Sequence, residues 1–124
     1  MSETGQNMIR KVEIGTGVVT TLSGATTSGA TNGTGVSARF NQPYGMWGNG
    51  TYLYLAEQNN HLIRKIEIET GVVTTLAGDG TAATVDGVGT GVSFLIPRHI
   101  WGNGISVFVA DQFSIQRLFN ALNF

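Results

Sequence analysis

Few side chains in this 124-residue chain are equipped for chemistry. Cysteine is absent, so no thiolate nucleophile, disulfide or Cys-ligated zinc site can form. The two histidines are His61 and His99. A histidine acts as a base only beside a positioned partner, and sequence places none next to His61, which leaves a structural hydrogen bond as its role. The acids that could hold a metal or ligand are Glu57, Asp86 and Asp111, while Tyr44 and the adjacent pair Arg98-His99 offer a phenol, a guanidinium and an imidazole. The glycine stretches "GDGT" and "GVGTG" are followed by no Gly-Lys-Ser/Thr and make no phosphate loop. No cofactor is implied.

The charge balance narrows the partners. Seven Lys and Arg against eight Asp and Glu give a net charge of -1, without the basic footprint of a nucleic-acid or anionic-membrane binder. No run of 18 apolar residues exists, and "MSETGQNMIRKVEI" lacks the pattern of an export signal, so the expectation is a soluble, cytoplasmic chain.

The elements that must position these residues are dictated by a duplication. Residues 9–24 match residues 63–78 at 13 of 16 positions, and the 54-residue frame 2–55 matches 56–109 without a gap at 23 positions. Shared positions include Phe40/Phe94, Pro43/Pro97 and the block Trp47-Gly48-Asn49-Gly50, repeated as Trp101-Gly102-Asn103-Gly104. Within one repeat, apolar runs bounded by Gly, Asn or Pro predict four strands. Strand a covers about Tyr44 to Trp47, b Tyr52 to Ala56, c Leu62 to Ile68 and d Val72 to Ala77. The "GNG" turn supplies the positive φ that the a–b hairpin needs, and "ETG" closes c–d. The result is an all-β, four-stranded antiparallel meander with apolar residues on both faces, a unit that must stack on another like itself.

"YLAEQNNHLIRKIEIETGVVTTLAG", with Asn60-His61-Leu62 inside it, resembles NHL-repeat β-propellers, as do the entries "NGTGVSARFNQPYG" and "DGVGTGVSFLIP". The first copy departs from the pattern, with Gln6-Asn7-Met8 at the triplet, and "MWGN" and "IWGN" replace the family's small residue and Asp of strand a. The resemblance implies blades of a propeller, usually six. Two repeats, 2–109, then divide into a whole blade at about 44–77 and a split blade, its strands c and d at 8–23 and its strands a and b at 98–110, ahead of a divergent tail at 110–124. A split blade exposes strand edges and apolar faces, which head-to-tail joining of copies covers. Three copies closing a homotrimeric six-bladed ring, by strand exchange, is the expected assembly. In the tail, Ile115, Leu118, Phe119 and Leu122 have the spacing of a short helix, with an irregular strand or frayed end as the alternative; in either form the tail and a neighbour's strand c cannot occupy the same slot together.

In a propeller strand a lines the central channel, so Tyr44, Arg98 and His99 are expected there, where three copies of His99 would suit a metal or three of Arg98 an anion. Against this stands a purely structural role. Glu57 and Asp111 close strand b, either as ligand groups at the mouth of the ring or as acceptors for the b-to-c turn, and Asp86 belongs to a long loop where an Asp-Gly turn explains it. Arg64, Lys65 and Glu67 are expected in cross-strand or inter-blade pairs, and Trp47 and Trp101 in blade packing. The leading functional expectation is a noncatalytic scaffold that binds a small molecule or protein through its loop-rich face or channel. A metal-assisted lyase or hydrolase, RNA recognition (which the charge opposes), and a propeller fragment without a separate role are the alternatives.

Overall fold

In a computed structural model the chain is described at residues 2–3, 7–83, 87–94, 96–110 and 115–119. Its strands are β1 (Ser2–Glu3), β2 (Met8–Val12), β3 (Val19–Gly24), β4 (Gly33–Thr34), β5 (Pro43–Gly48), β6 (Tyr52–Glu57), β7 (Leu62–Glu67), β8 (Val72–Ala77), β9 (His99–Gly102), β10 (Ser106–Ala110) and β11 (Ile115–Phe119). They form three sheets, ordered β1-β2-β3, β4-β8-β7-β6-β5 and β11-β10-β9, and neighbours in every sheet are antiparallel.

Turn chemistry creates the hairpins. Asn49 Oδ1 accepts the N–H groups of Thr51 and Tyr52 at 2.9 and 2.8 Å while Gly50 takes φ 94°, a value that a side chain would strain. Asn103 repeats this with Ile105 and Ser106, and Gly104 repeats the φ of 94°. The c-to-d turns are likewise duplicated: the Gly71 and Gly17 N–H groups donate to Glu67 and Glu13 carbonyls at 2.8 and 2.7 Å.

Period-two alternation then gives the central sheet two buried faces. Leu55, Ile66 and Val73 pack toward the first sheet with Ile9, Ala38 and Phe40. Tyr54, Ala56, Ile63, Leu76 and Ala77 pack toward the last sheet with Val92, Phe94, Val107 and Val109. A register shift between Ile63 and Arg64 in β7 brings both Leu76 and Ala77 to that side. Each large side chain buried in this way contributes about 1.5–3 kcal/mol, so stacking between sheets, rather than any single sheet, carries the fold.

The helical spacing in the tail is overruled. Residues 115–119 form β11, an antiparallel strand in register with β10 from Ser106↔Phe119 to Ala110↔Ile115. The edge of β10 offers a row of unpaired backbone groups, and pairing with it satisfies more donors and acceptors than two turns of isolated helix would.

Candidate functional site

The inner strands bring two of the sequence-selected residues together. Tyr44 on β5 and His99 on β9 meet edge to face, their ring centroids 5.7 Å apart, and both are exposed. The close approach rests on Gly45, where an added Cβ would overlap the Arg98 carbonyl. Arg98 is exposed beside them, its N–H donating to the Ala110 carbonyl at 3.0 Å.

Glu57 lies in a different environment. It is fully buried and bonded by Arg64 Nη1 at 2.8 Å, and Asn60 Nδ2 also donates to it. Burial pushes its carboxyl up to about 7, against the lowering effect of Arg64, Asn60 and a backbone donor at Asn41. Arg64 also donates to the carbonyls of Arg39 and Thr31 (both 3.1 Å) and to Asn32 Oδ1 (2.8 Å), and it sits over the Phe40 ring. This one guanidinium ties β7 to the connection that precedes β5. Lys65, on the opposite face of β7, lies over the Tyr52 ring at 4.0 Å.

His61 holds sheets together. Its Nδ1 accepts the Ile96 N–H at 3.1 Å, across from the central sheet to the connection before β9. Its repeat counterpart Asn7 does the same with Oδ1, accepting the Gln42 N–H at 3.0 Å. All four residues have positive φ, 56° and 59° at His61 and Asn7, 54° and 52° at Gln42 and Ile96. An imidazole and a carboxamide thus serve interchangeably as acceptors in a duplicated clasp.

An opening lies on the loop-rich face, where the connection before β5, the b-to-c turn of the central sheet and the start of the connection before β9 converge. It is a cleft of about 660 Å³, and its polar wall includes Asn32, Asn59, Asn60, Thr75, Asp79 and Thr90. Asp79 is held ionised, its carboxyl below the usual range because the Thr81 N–H donates to it at 2.8 Å, with help from the Ser93 hydroxyl at 3.0 Å. Asn32 and Asn60 are fixed from behind: Asn32 Oδ1 accepts from Arg64 and Thr75, and Asn60 Nδ2 donates to the Gly29 carbonyl at 2.7 Å. Sequence reasoning passed over Asn59, Asp79 and Thr90. The signal was present, since Asp79 and Thr90 face Ala25 and Val36 in the other repeat while the neighbouring Gly78 and Gly89 are matched by Gly24 and Gly35.

Asp86 and Asp111 fall outside the described residues. Among the described residues no three His, Asp or Glu side chains converge as a metal site.

No protein-family model matches the sequence. NHL repeat-containing protein 2 of Gallus gallus is 38% identical over 80 residues, 64% of this chain and 11% of that protein. Its Homo sapiens counterpart is 38% identical over 61 residues, 49% of this chain and 8% of that protein. The chain thus spans about a tenth of the length of these relatives. Among solved structures, a protein of unknown function from Bacteroides thetaiotaomicron superposes with a TM-score of 0.83 at 26% identity, covering 94% of this chain and 31% of that one. An auxiliary nutrient binding protein from Bacteroides ovatus shares the fold at a TM-score of 0.71 and 23% identity, over 87% of this chain and 31% of that one.

Proposed function

Because the chain carries repeats related to those of the NHL-repeat family, we propose that it is a noncatalytic propeller scaffold that binds a small polar ligand on its loop-rich face. The observation that carries this reading is the cleft lined by Asn59, Asn60, Asp79 and Thr90. Its walls differ between the two repeats where the framework beneath is duplicated, which is how a repeat scaffold separates binding from folding. Carboxamides, a hydroxyl and one fixed carboxylate select a neutral or cationic ligand rich in hydroxyl or amine groups. An anion would meet Asp79.

The scaffold is completed by self-association, three copies closing six blades. Support comes from the share of the Bacteroides thetaiotaomicron structure that the chain covers, about one third. It comes also from apolar side chains left exposed, Val12 on the first sheet, Trp101 on the last, and Ile14 and Val18 in the turn between β2 and β3.

Light scattering on the 124-residue chain tests the assembly: three times 13.1 kDa, about 39 kDa, is expected, and a 13.1 kDa species refutes it. Binding is tested by ligand-observed NMR against a panel of neutral sugars, polyols, polyamines and amino acids. A hit should lose affinity about tenfold in Asn59→Ala and in Asp79→Ala, each removing one hydrogen-bonding group to the ligand. Absence of any hit at millimolar concentration, or a hit indifferent to both substitutions, sinks the cleft as the site.

A further inference from the structure

The two apolar cores of this chain are copies of one another, and among the described residues one copy lacks two members of the other. The core between the first and central sheets contains Ile9, Ala38, Phe40, Leu55, Ile66 and Val73. Moved by the 54-residue repeat, the first four become Ile63, Val92, Phe94 and Val109, all present in the second core. Among the described residues Ile66 and Val73 have no such counterpart there. Their counterparts in the opposite direction along the repeat are Val12 and Val19, which stand 42% and 46% exposed on the first sheet, whereas Ile66 and Val73 are 0% and 1% exposed.

Backbone edges show the same complementarity. In the central sheet, β4 pairs with β8 through Gly33↔Val73 and Thr34↔Val72, and the Gly35 N–H donates to the Gly71 carbonyl at 3.0 Å. The repeat copies of these two edges are Gly87 to Gly89 and Gly17 to Val19. They lie 70 positions apart along the chain, with Val88 80% and Val18 53% exposed. The strand that occupies the third place of the last sheet, β11, is a poor substitute. Its register with β10 sets Gln116 where the central sheet has Arg64, and its described residues, 115–119, include no Asn or His. A second copy's β2 brings Arg10 in Arg64's place, and Asn7 ahead of it.

We propose that β2 and β3 of a second copy of this chain dock on the β10 edge, with their Gly17–Val19 edge laid against Gly87–Gly89, and that β11 is a placeholder they displace. The occupant is a second copy because the residues missing from the second core are the ones this chain exposes. Val12 and Val19 then complete that core, and the two-residue β1 yields its place beside β2 to the end of β10. This join rests on the ring reading above and specifies which surfaces make it.

The test uses the absence of native cysteine. In the central sheet Thr34 and Val72 are directly opposed; their copies across the proposed join are Val88 and Val18. The double variant Val18→Cys/Val88→Cys, oxidised and run on a non-reducing gel, should give a ladder that ends at three linked chains. Each single-cysteine variant stops at dimers. A mass of about 39 kDa by light scattering with no ladder overturns this join and leaves the ring; a mass of 13.1 kDa overturns the ring and the join together. Arg117→Pro, which sets a proline in β11 opposite Phe108, should leave the assembled mass unchanged. Loss of the assembly in that variant overturns the placeholder role.

Discussion

Arg64→Met is the most informative single substitution. Arg64 is fully buried, and its removal leaves Glu57 in a site with 0% exposure and strips a donor from the Arg39 and Thr31 carbonyls. Breaking a buried pair by deleting one partner costs about 3–5 kcal/mol, which urea unfolding at fixed protein concentration reads as a shift in midpoint at constant slope. The pH dependence follows from the Glu57 carboxyl, already raised to about 7 by burial despite Arg64. A raised acid favours its neutral form in the fold, so its contribution is present below the unfolded value near 4.5 and declines as pH rises to 7. Without Arg64 the carboxyl rises further, and the variant goes on losing stability above pH 7, where the parent has levelled off. The difference between the two should be flat from pH 5 to 7 and then grow by about 1.4 kcal/mol per pH unit. Arg64→Met/Glu57→Leu removes both charges and should show neither the full loss nor the rise. A cost under about 1 kcal/mol, or one that is equal at pH 6 and 8.5, refutes the reasoning.

His61→Asn should be nearly neutral in thermal unfolding, since Asn7 performs the same acceptance at the same positive φ, whereas His61→Leu should cost about 1–3 kcal/mol through a lost acceptor and a strained backbone. Gly102→Ala places a Cβ 2.5 Å from the Trp47 ring; overpacking there should cost about 1–3 kcal/mol and red-shift the tryptophan fluorescence as the central and last sheets part. Asn49→Ala removes the acceptor for two turn N–H groups and should cost about 1 kcal/mol, measured by chemical denaturation. Acidification well below the ordinary carboxyl value of 3.8 should protonate Asp79 and weaken the turn that its carboxylate organises with Thr81 and Ser93, because a carboxyl held below its ordinary value contributes stability above that value and loses it as pH falls through its own lower one. Exchange of the Thr81 amide proton reports it.

The cleft was less legible in the sequence than the blades. Hairpins announce themselves locally: Asn49-Gly50 and Gly71 fix turns whatever lies around them. Glu57, weighed as a ligand group or a turn acceptor, accepts from Asn60 of the b-to-c turn and also from a guanidinium seven residues away, a partner that only the buried strand face reveals. Asp79 differs from Ala25 in the other repeat, but the bond that fixes it comes from Ser93, 14 residues on.

The sequence by itself determined the repeat, its period, the all-β character and the turn positions, because glycine and asparagine conformations and period-two alternation act over a few residues. Tertiary structure decided which face each strand turns to which neighbour, that His61 and Asn7 clasp successive sheets, and that the tail pairs as β11 rather than coiling. Those outcomes depend on which backbone edges and apolar surfaces remain open once the hairpins have formed, and the clasps in particular join residues 35 positions apart.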